Sequence, residues 1–159
     1  MKAKRTKILL WGAFLLYLLA AYGLIIGKSW DGAYLAQCYA SFDSWKGEIL
    51  WSLNLIPLRF IFDAQGYTGL TWCKNVIGNV LLFVPLGFFL LCLAPSVRAW
   101  SFKRYVAAMA ALILGIELFQ LFFMCGHCDI DDFLLNLAGA CLGYWGTKQV
   151  WKLSAKQPS

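Results

Sequence analysis

Apolar residues gather into four long stretches, and polar residues into the segments between them. The first stretch runs from Ile8 to about Gly27 without a charge, the second from Asn75 to Ala94, the third from Tyr105 to Met124, and the fourth from Phe133 to Val150. Each is close to the roughly 20 residues that an α-helix needs to cross the hydrocarbon core of a bilayer. Glu117 is the one acid inside them, and Lys148 lies near the end of the fourth. The pattern predicts an all-α integral membrane protein, a bundle of four transmembrane helices without an internal repeat. Between the first two stretches lie 47 residues, Lys28 to Lys74. Within them Ser44–Phe62 is apolar, rich in Trp and Phe, and broken by Pro57. That segment is too interrupted to span, so the expectation is a short helix in the membrane interface or over the bundle mouth, where Trp is favoured.

Composition sharpens this picture. Hydrophobic residues make up 61% of the chain, and 14 basic and 8 acidic residues are all the charge it has. A soluble domain has about a quarter of its residues charged, so a water-soluble globule is excluded. The basic residues sit at the ends of apolar runs, which marks membrane orientation rather than nucleic-acid contact. With both termini inside, the inner segments hold Lys2, Lys4, Arg5, Lys7, Arg98, Lys103, Arg104, Lys148, Lys152 and Lys156, and no acid. The outer segments hold Lys28, Lys46, Arg59 and Lys74 together with every acid except Glu117. The positive-inside rule therefore predicts a multi-pass plasma-membrane protein with both termini cytoplasmic. The divisions are 1–27, a basic N-terminus and first span; 28–74, an extracytoplasmic loop; 75–150, three further spans; and 151–159, a cytoplasmic tail. The first apolar run exceeds a signal-peptide core and no clear small-x-small site closely follows it, so it is expected to stay as an anchor.

Polar side chains inside hydrocarbon are costly, and those that remain point to pairing or function. Asn75 and Asn79 are one turn apart on the second span, and Glu117 and Gln120 share a face of the third. Asp129, Asp131 and Asp132 introduce the fourth, with Asn136 one turn further in. At 1.5 Å per residue, Asn79, Glu117 and Asn136 all fall within roughly 10 Å of the outer boundary. Three helices thus bring polar groups to one depth. The expectation is one outward-facing polar site built from Asn79, Glu117, Gln120, Asp129, Asp131, Asp132 and Asn136, with interhelical hydrogen-bond glue as the alternative. Gly139-xxx-Gly143 allows close approach of a neighbouring backbone, and Pro85 is expected to kink the second helix.

These residues fall in a recognisable order: Asn54-Leu55-Ile56-Pro57-Leu58, then Asn79-xxx-Phe83-x-Pro85-x-Gly87, Glu117-xx-Gln120, Asp129-Ile130-Asp131-Asp132, and Asn136-xx-Gly139-xxx-Gly143. Together they resemble the VanZ-like family, small multi-pass bacterial membrane proteins named for a teicoplanin-resistance protein, over about 54–144. The resemblance implies a plasma-membrane protein at the cell surface and, by analogy with the named member, lower susceptibility to lipoglycopeptide antibiotics. Partners it implies are the bilayer and a lipoglycopeptide, lipid or cell-wall precursor, with no nucleic acid. Family members often carry an Arg just before the Asp-x-Asp-Asp element, where this chain has Cys125-Gly126-His127-Cys128; His127 supplies positive charge only part of the time.

A rival reading comes from the cysteines. Cys38, Cys73, Cys125 and Cys128 fall on the outer side, where disulfides persist; Cys92 and Cys141 lie within spans. Cys125-x-x-Cys128 has the spacing of a redox dithiol, which would make the chain a membrane thiol-disulfide oxidoreductase working with a quinone. The alternatives are structural disulfides, Cys38–Cys73 and Cys125–Cys128 among the possible pairings, a metal held by the Cys125–Asp129 segment, and a divalent cation held by the three aspartates. Asp132 at a helix start is also favoured without any ion. There is no hydrolase constellation and no glycine-rich phosphate loop, so no cofactor and no metal is expected and a non-enzymatic role is favoured. The orientation has a direct check. In a cysteine-free background, a membrane-impermeant thiol reagent added outside is expected to label a cysteine at Ser41 and miss one at Ser101; the reverse pattern would overturn the topology.

Overall fold

The four apolar stretches all fold as helices, and local signals set several of their ends. The computed structural model describes residues 2–26, 31–59 and 69–154; residues 1, 27–30, 60–68 and 155–159, which include the end of the first apolar stretch, the end of the aromatic segment and the last part of the tail, lie outside the described residues. The elements in order are α1 (Lys2–Ile25), α2 (Gly32–Cys38), α3 (Phe42–Trp51), β1 (Leu53–Asn54), α4 (Gly69–Leu93), α5 (Pro95–Arg98), α6 (Phe102–Phe122), β2 (Cys128–Asp129) and α7 (Ile130–Ser154). The side chains of Asp31, Ser41 and Ser101 accept the N–H groups of Ala33, Ser44 and Arg104, capping α2, α3 and α6. Helix α6 closes with Met124 at φ 52°, with the Cys125 N–H returning to the Gln120 carbonyl and the Met124 N–H to Leu121. This is the Schellman pattern, with methionine in the left-handed position that glycine usually fills.

Among the described residues three helices are long and apolar enough to cross a membrane: Lys4–Ile25, Asn75–Leu93 and Phe102–Phe122. The fourth predicted span folds as the 25-residue helix α7 but is less apolar, because Asn136, Thr147, Lys148, Gln149 and Lys152 dilute it. Large apolar side chains nevertheless face outward from all four long helices: Leu9, Leu16 and Leu19 on α1, Leu81 on α4, Leu114 on α6, and Leu142, Trp145 and Val150 on α7. Water-soluble monomers rarely expose so much contiguous apolar surface.

The most extensive contact joins α4 to α7, and glycines make it. A Cβ on Gly139 would stand 2.1 Å from the Val80 carbonyl oxygen, one on Gly143 2.1 Å from that of Val84, and one on Gly87 2.4 Å from that of Ala140. Backbone therefore lies on backbone, as the small-xxx-small spacing predicts. The pairs Val80–Gly139 and Val84–Gly143 advance by one turn on each helix together, so α4 and α7 run parallel. Helix α6 runs antiparallel to α7: the Tyr105 hydroxyl donates to Ala140 O (3.0 Å), whereas Glu117 near the other end accepts from the Asp129 N–H. Tyr105 is fully buried, its ring centroid 4.5 Å from that of Tyr144, in a core with Phe83, Leu91 and Ile113.

Helix α1 leans on α4 through Phe14, Tyr17 and Phe89. Pro85 lies inside α4 and offers no N–H to Leu81 four residues earlier. One residue on, the Leu82 carbonyl accepts the Tyr17 hydroxyl at 2.8 Å. The ends of the long helices are thereby sorted. The C-terminal ends of α1 and α6 meet where the Gln120 amide donates to Ile25 O, at the same end as the starts of α4 and α7, which Asn79 and Asp132 join. The opposite end is basic. There the Arg98 guanidinium donates to the Leu91 carbonyl (3.2 and 3.1 Å) and lies 4.5 Å from the Trp151 ring, while Lys148 donates to the Arg98 carbonyl.

The aromatic segment, expected to hold a short helix, forms one over Phe42–Trp51. Its helix is α3, which stops at Trp51, and the chain continues as strand β1. Strand β1 pairs in parallel with β2, Leu53 opposite Cys128 and Asn54 opposite Asp129. Trp45 stacks on Phe122 with ring centroids 6.2 Å apart, and the Tyr39 hydroxyl donates to Phe122 O at 2.8 Å. The segment thus covers the end of α6. The glycine contacts set up a contrast on one helix: Gly146 has no atom within 4 Å of a built Cβ. Gly143→Ala and Gly139→Ala are expected to lower stability by about 1–3 kcal/mol through overpacking, while Gly146→Ala is neutral or slightly stabilising. Melting midpoints of the detergent-solubilised variants check this.

Candidate functional site

The acidic end is assembled by the first turn of α7. Asp129 caps that helix, its Oδ1 accepting the Asp131 N–H at 2.8 Å. Its own N–H donates to Glu117 Oε2 on α6 at 3.3 Å. Asp132 accepts the side-chain amide of Asn79 on α4. Asp131 is buried, and its Oδ1 accepts the Leu58 N–H at 2.6 Å. That donor is delivered by a bend: the Asn54 side chain accepts the Ile56 N–H, and Leu58 stands at φ 62° just after Pro57. A branched residue in the left-handed region costs about 1–2 kcal/mol, and the bond to a carboxylate helps offset it. The Cys128 N–H to Ser52 O bond (2.9 Å) completes the seam between the covering segment and the start of α7.

Two cavities open beside this seam. The larger, about 600 Å³, is lined by Trp51, Ser52, Asn54, Arg59, Asn75, His127, Asp129, Asp131 and Asp132, with Leu50, Leu53, Val76 and Leu135. The smaller, about 260 Å³, is lined by Leu55, Leu114, Glu117, Cys128, Asp129, Ile130 and Phe133. Asp129 belongs to both walls.

Of the residues predicted from depth, Asp129, Asp131 and Asp132 line the larger cavity, Asn79 is held by Asp132, and Glu117 sits behind Asp129 on the smaller one. Asn136 is buried below, and its Oδ1 has no hydrogen-bond partner. Gln120 is the exception. Its amide donates to Ile25 O and packs beside Gly126, so it ties α6 to α1 and stands apart from the acids. Sequence reasoning from the spans alone left out Arg59, Asn54, Ser52 and His127 as wall residues. The signal for Asn54 was its place in the Asn54–Leu58 run; Arg59 had none beyond its charge.

The cysteines are all free thiols, and Cys125 and Cys128 are both buried. Burial pushes both thiols up from their ordinary range, and the carboxylates of Glu117 and Asp129 push Cys128 further. A redox nucleophile needs the opposite, an accessible thiolate in electropositive surroundings. Among the described residues no group of three or more His, Cys, Asp or Glu side chains is arranged to hold a metal ion.

The fold and site define a class: a predominantly helical protein with three helices long and apolar enough to cross a membrane and a polar pocket at the end opposite Arg98 and Lys148. The VanZ/LLP1 family model matches residues 14–152, and the chain belongs to that family. No curated protein and no solved structure matches the chain. The cap at Asp129 gives a local check on the site. Asp129→Ala is expected to cost about 1 kcal/mol through loss of the N-cap, whereas Asp129→Asn, which retains an accepting oxygen, costs a few tenths. Thermal unfolding of the two variants in detergent separates them.

Proposed function

We propose that this protein is a four-span component of the bacterial plasma membrane, both termini cytoplasmic, which lowers the action of lipoglycopeptides such as teicoplanin at the outer leaflet. Membership of the VanZ/LLP1 family supports the reading. So does the packing. Helix α7 runs parallel to α4 with backbone on backbone, so it traverses the same thickness as a helix apolar enough to span. Its hydropathy is low because one side meets helices and the pocket, while Leu142, Trp145 and Val150 face outward. The charge distribution supports the orientation, with Arg98 and Lys148 at one end and the aspartates at the other.

The observation that carries the functional reading is the large polar cavity beside exposed Trp51, Leu55 and Ile56. In the proposed orientation these lie at the outer interface, where a lipoglycopeptide inserts its acyl tail and where lipid-linked cell-wall precursors also stand. The pocket receives the polar part of such an amphiphile and the bundle its apolar part. Protection then arises by holding the drug or its target lipid, and no reaction is required.

Expression in a susceptible host tests this. Wild type is expected to raise resistance to teicoplanin more than to vancomycin. Glu117→Ala, at unchanged membrane abundance, returns the host to its unprotected level, and the Cys125→Ser/Cys128→Ser variant keeps most of the protection. Loss of protection with the cysteine pair alone would favour the thiol-disulfide reading instead.

A further inference from the structure

The end of the bundle away from the acids carries charge of one sign only. Gln120 ties the end of α1 to the acidic end, so the start of α1 lies here with the start of α6 and the end of α7. No Asp or Glu occurs in residues 1–30, 64–116 or 133–159, and the cations of this end therefore meet neutral groups. The Arg98 guanidinium donates to the Leu91 carbonyl and lies over the Trp151 ring. Lys148 donates to the Arg98 carbonyl, and its ammonium stands 5.5 Å from the Tyr144 ring centroid. Arg104 lies 4.7 Å from the ring centroid of Trp100. Ring faces attract a cation but supply no opposite unit charge. Lys103 and Arg104 are exposed in the first turn of α6, where the helix dipole is itself positive. The Tyr144 ring also meets that of Phe102, with 5.5 Å between centroids, so the start of α6 and the end of α7 share one basic surface. Toward the middle of α7, Leu142 and Trp145 face outward.

From this juxtaposition we infer that the basic surface binds an anionic phospholipid of the leaflet at that end, its headgroup at Lys103, Arg104 and Lys148 and an acyl chain along Leu142 and Trp145. This goes beyond the proposed function and does not depend on what the acidic end takes. Charge complementarity selects the headgroup. A zwitterionic lipid brings its own cation to a surface that has no acid to receive it, and the like charges repel. An anionic lipid brings net negative charge and phosphate oxygens that accept from ammonium and guanidinium donors. The neighbouring apolar residues select a lipid over a soluble acid. A soluble anion would meet the same cations but leave Leu142 and Trp145 without a partner, whereas a molecule with an anionic head and a hydrocarbon tail satisfies both. Arg98 has a different task, since its donors are already taken by carbonyls at the end of α4.

The test uses the full-length protein in a neutral detergent with phosphatidylglycerol and phosphatidylcholine of identical acyl chains. Lipid adducts are counted by native mass spectrometry, and the melting midpoint is followed in parallel. Wild type is expected to retain phosphatidylglycerol about tenfold more strongly than phosphatidylcholine and to melt higher with it. Lys103→Gln/Arg104→Gln is expected to bring the ratio close to one, while the charge-keeping Lys103→Arg/Arg104→Lys retains it. Lys103→Gln alone, which leaves the Arg104–Trp100 contact in place, lowers the ratio by an intermediate amount and serves if the double variant folds poorly. Lys4→Gln/Arg5→Gln removes the same charge from the start of α1 and is expected to keep the preference. Equal retention of the two lipids by wild type, a preference that survives Lys103→Gln/Arg104→Gln, or an equal loss in Lys4→Gln/Arg5→Gln would each overturn the inference. So would inorganic phosphate that, at matched ionic strength, raises the midpoint as far as phosphatidylglycerol does.

Discussion

Everything at the acidic end depends on how closely α4 and α7 approach. With Gly87, Gly139 and Gly143 at the contact, the Val80 and Val84 carbonyls occupy space that side chains would otherwise fill. In hydrocarbon there is no hydrophobic force between helices, so close van der Waals packing and polar contacts must hold them. On the same side Asn79, adjacent to Val80, donates to Asp132, about two turns before Gly139, which joins two polar side chains that would be costly apart. Tyr105 locks the third helix onto this pair by donating to Ala140 O, the carbonyl that Gly87 leaves room for. Position of the pocket is thus a consequence of the glycine register.

Much of this was legible along the chain, for definite reasons. Helical period and length gave the four long helices, because apolar runs of that size have few alternative states. Gly139 and Gly143, four apart, announced a contact face, although Gly87 as their counterpart needed the structure. The depth argument set Asn79, Glu117 and Asn136 at one level because rise per residue is fixed; in the structure Asn79 meets Asp132 and Glu117 accepts the Asp129 N–H. Gln120, grouped with Glu117 by helical spacing, points elsewhere. Three residues turn a helix by about 300° rather than a full circle, and that offset aims Gln120 at the end of α1 while Glu117 looks toward α7. Nor did any pattern reveal the β1–β2 seam, since two residues carry no periodicity and their pairing is set by long-range packing. Arg59 reaches the pocket wall after a bend at Pro57 and Leu58, and a left-handed leucine is not something sequence announces.

The cysteines show the reverse situation, a motif whose surroundings change its meaning. Cys125-x-x-Cys128 has dithiol spacing, yet Cys125 closes the Schellman turn after α6 and Cys128 pairs in the seam. Both sulfurs are enclosed, and acids rather than cations stand near Cys128. These positions serve backbone hydrogen bonding and packing, for which a small hydrophobic side chain suffices. The turn itself carries no arginine, and Arg59 lines the cavity beside it. A guanidinium is therefore still present at the site, supplied from the covering segment instead of the turn.

That placement bears on how the site is held together. Its acids belong to the helix bundle, while Trp51, Ser52, Asn54 and Arg59 belong to the cover. Among the described residues the two are joined by the β1–β2 pairing, the Cys128 N–H to Ser52 O, the Leu58 N–H to Asp131, Tyr39 to Phe122, and the Trp45–Phe122 stack. The bundle side is fixed by backbone contact and buried aromatic packing, and the described part of the cover by backbone hydrogen bonds and the Trp45–Phe122 stack. The wall of the larger cavity is therefore shared between two parts of the fold, the bundle held by backbone-on-backbone packing and the cover joined to it by backbone hydrogen bonds and ring stacking.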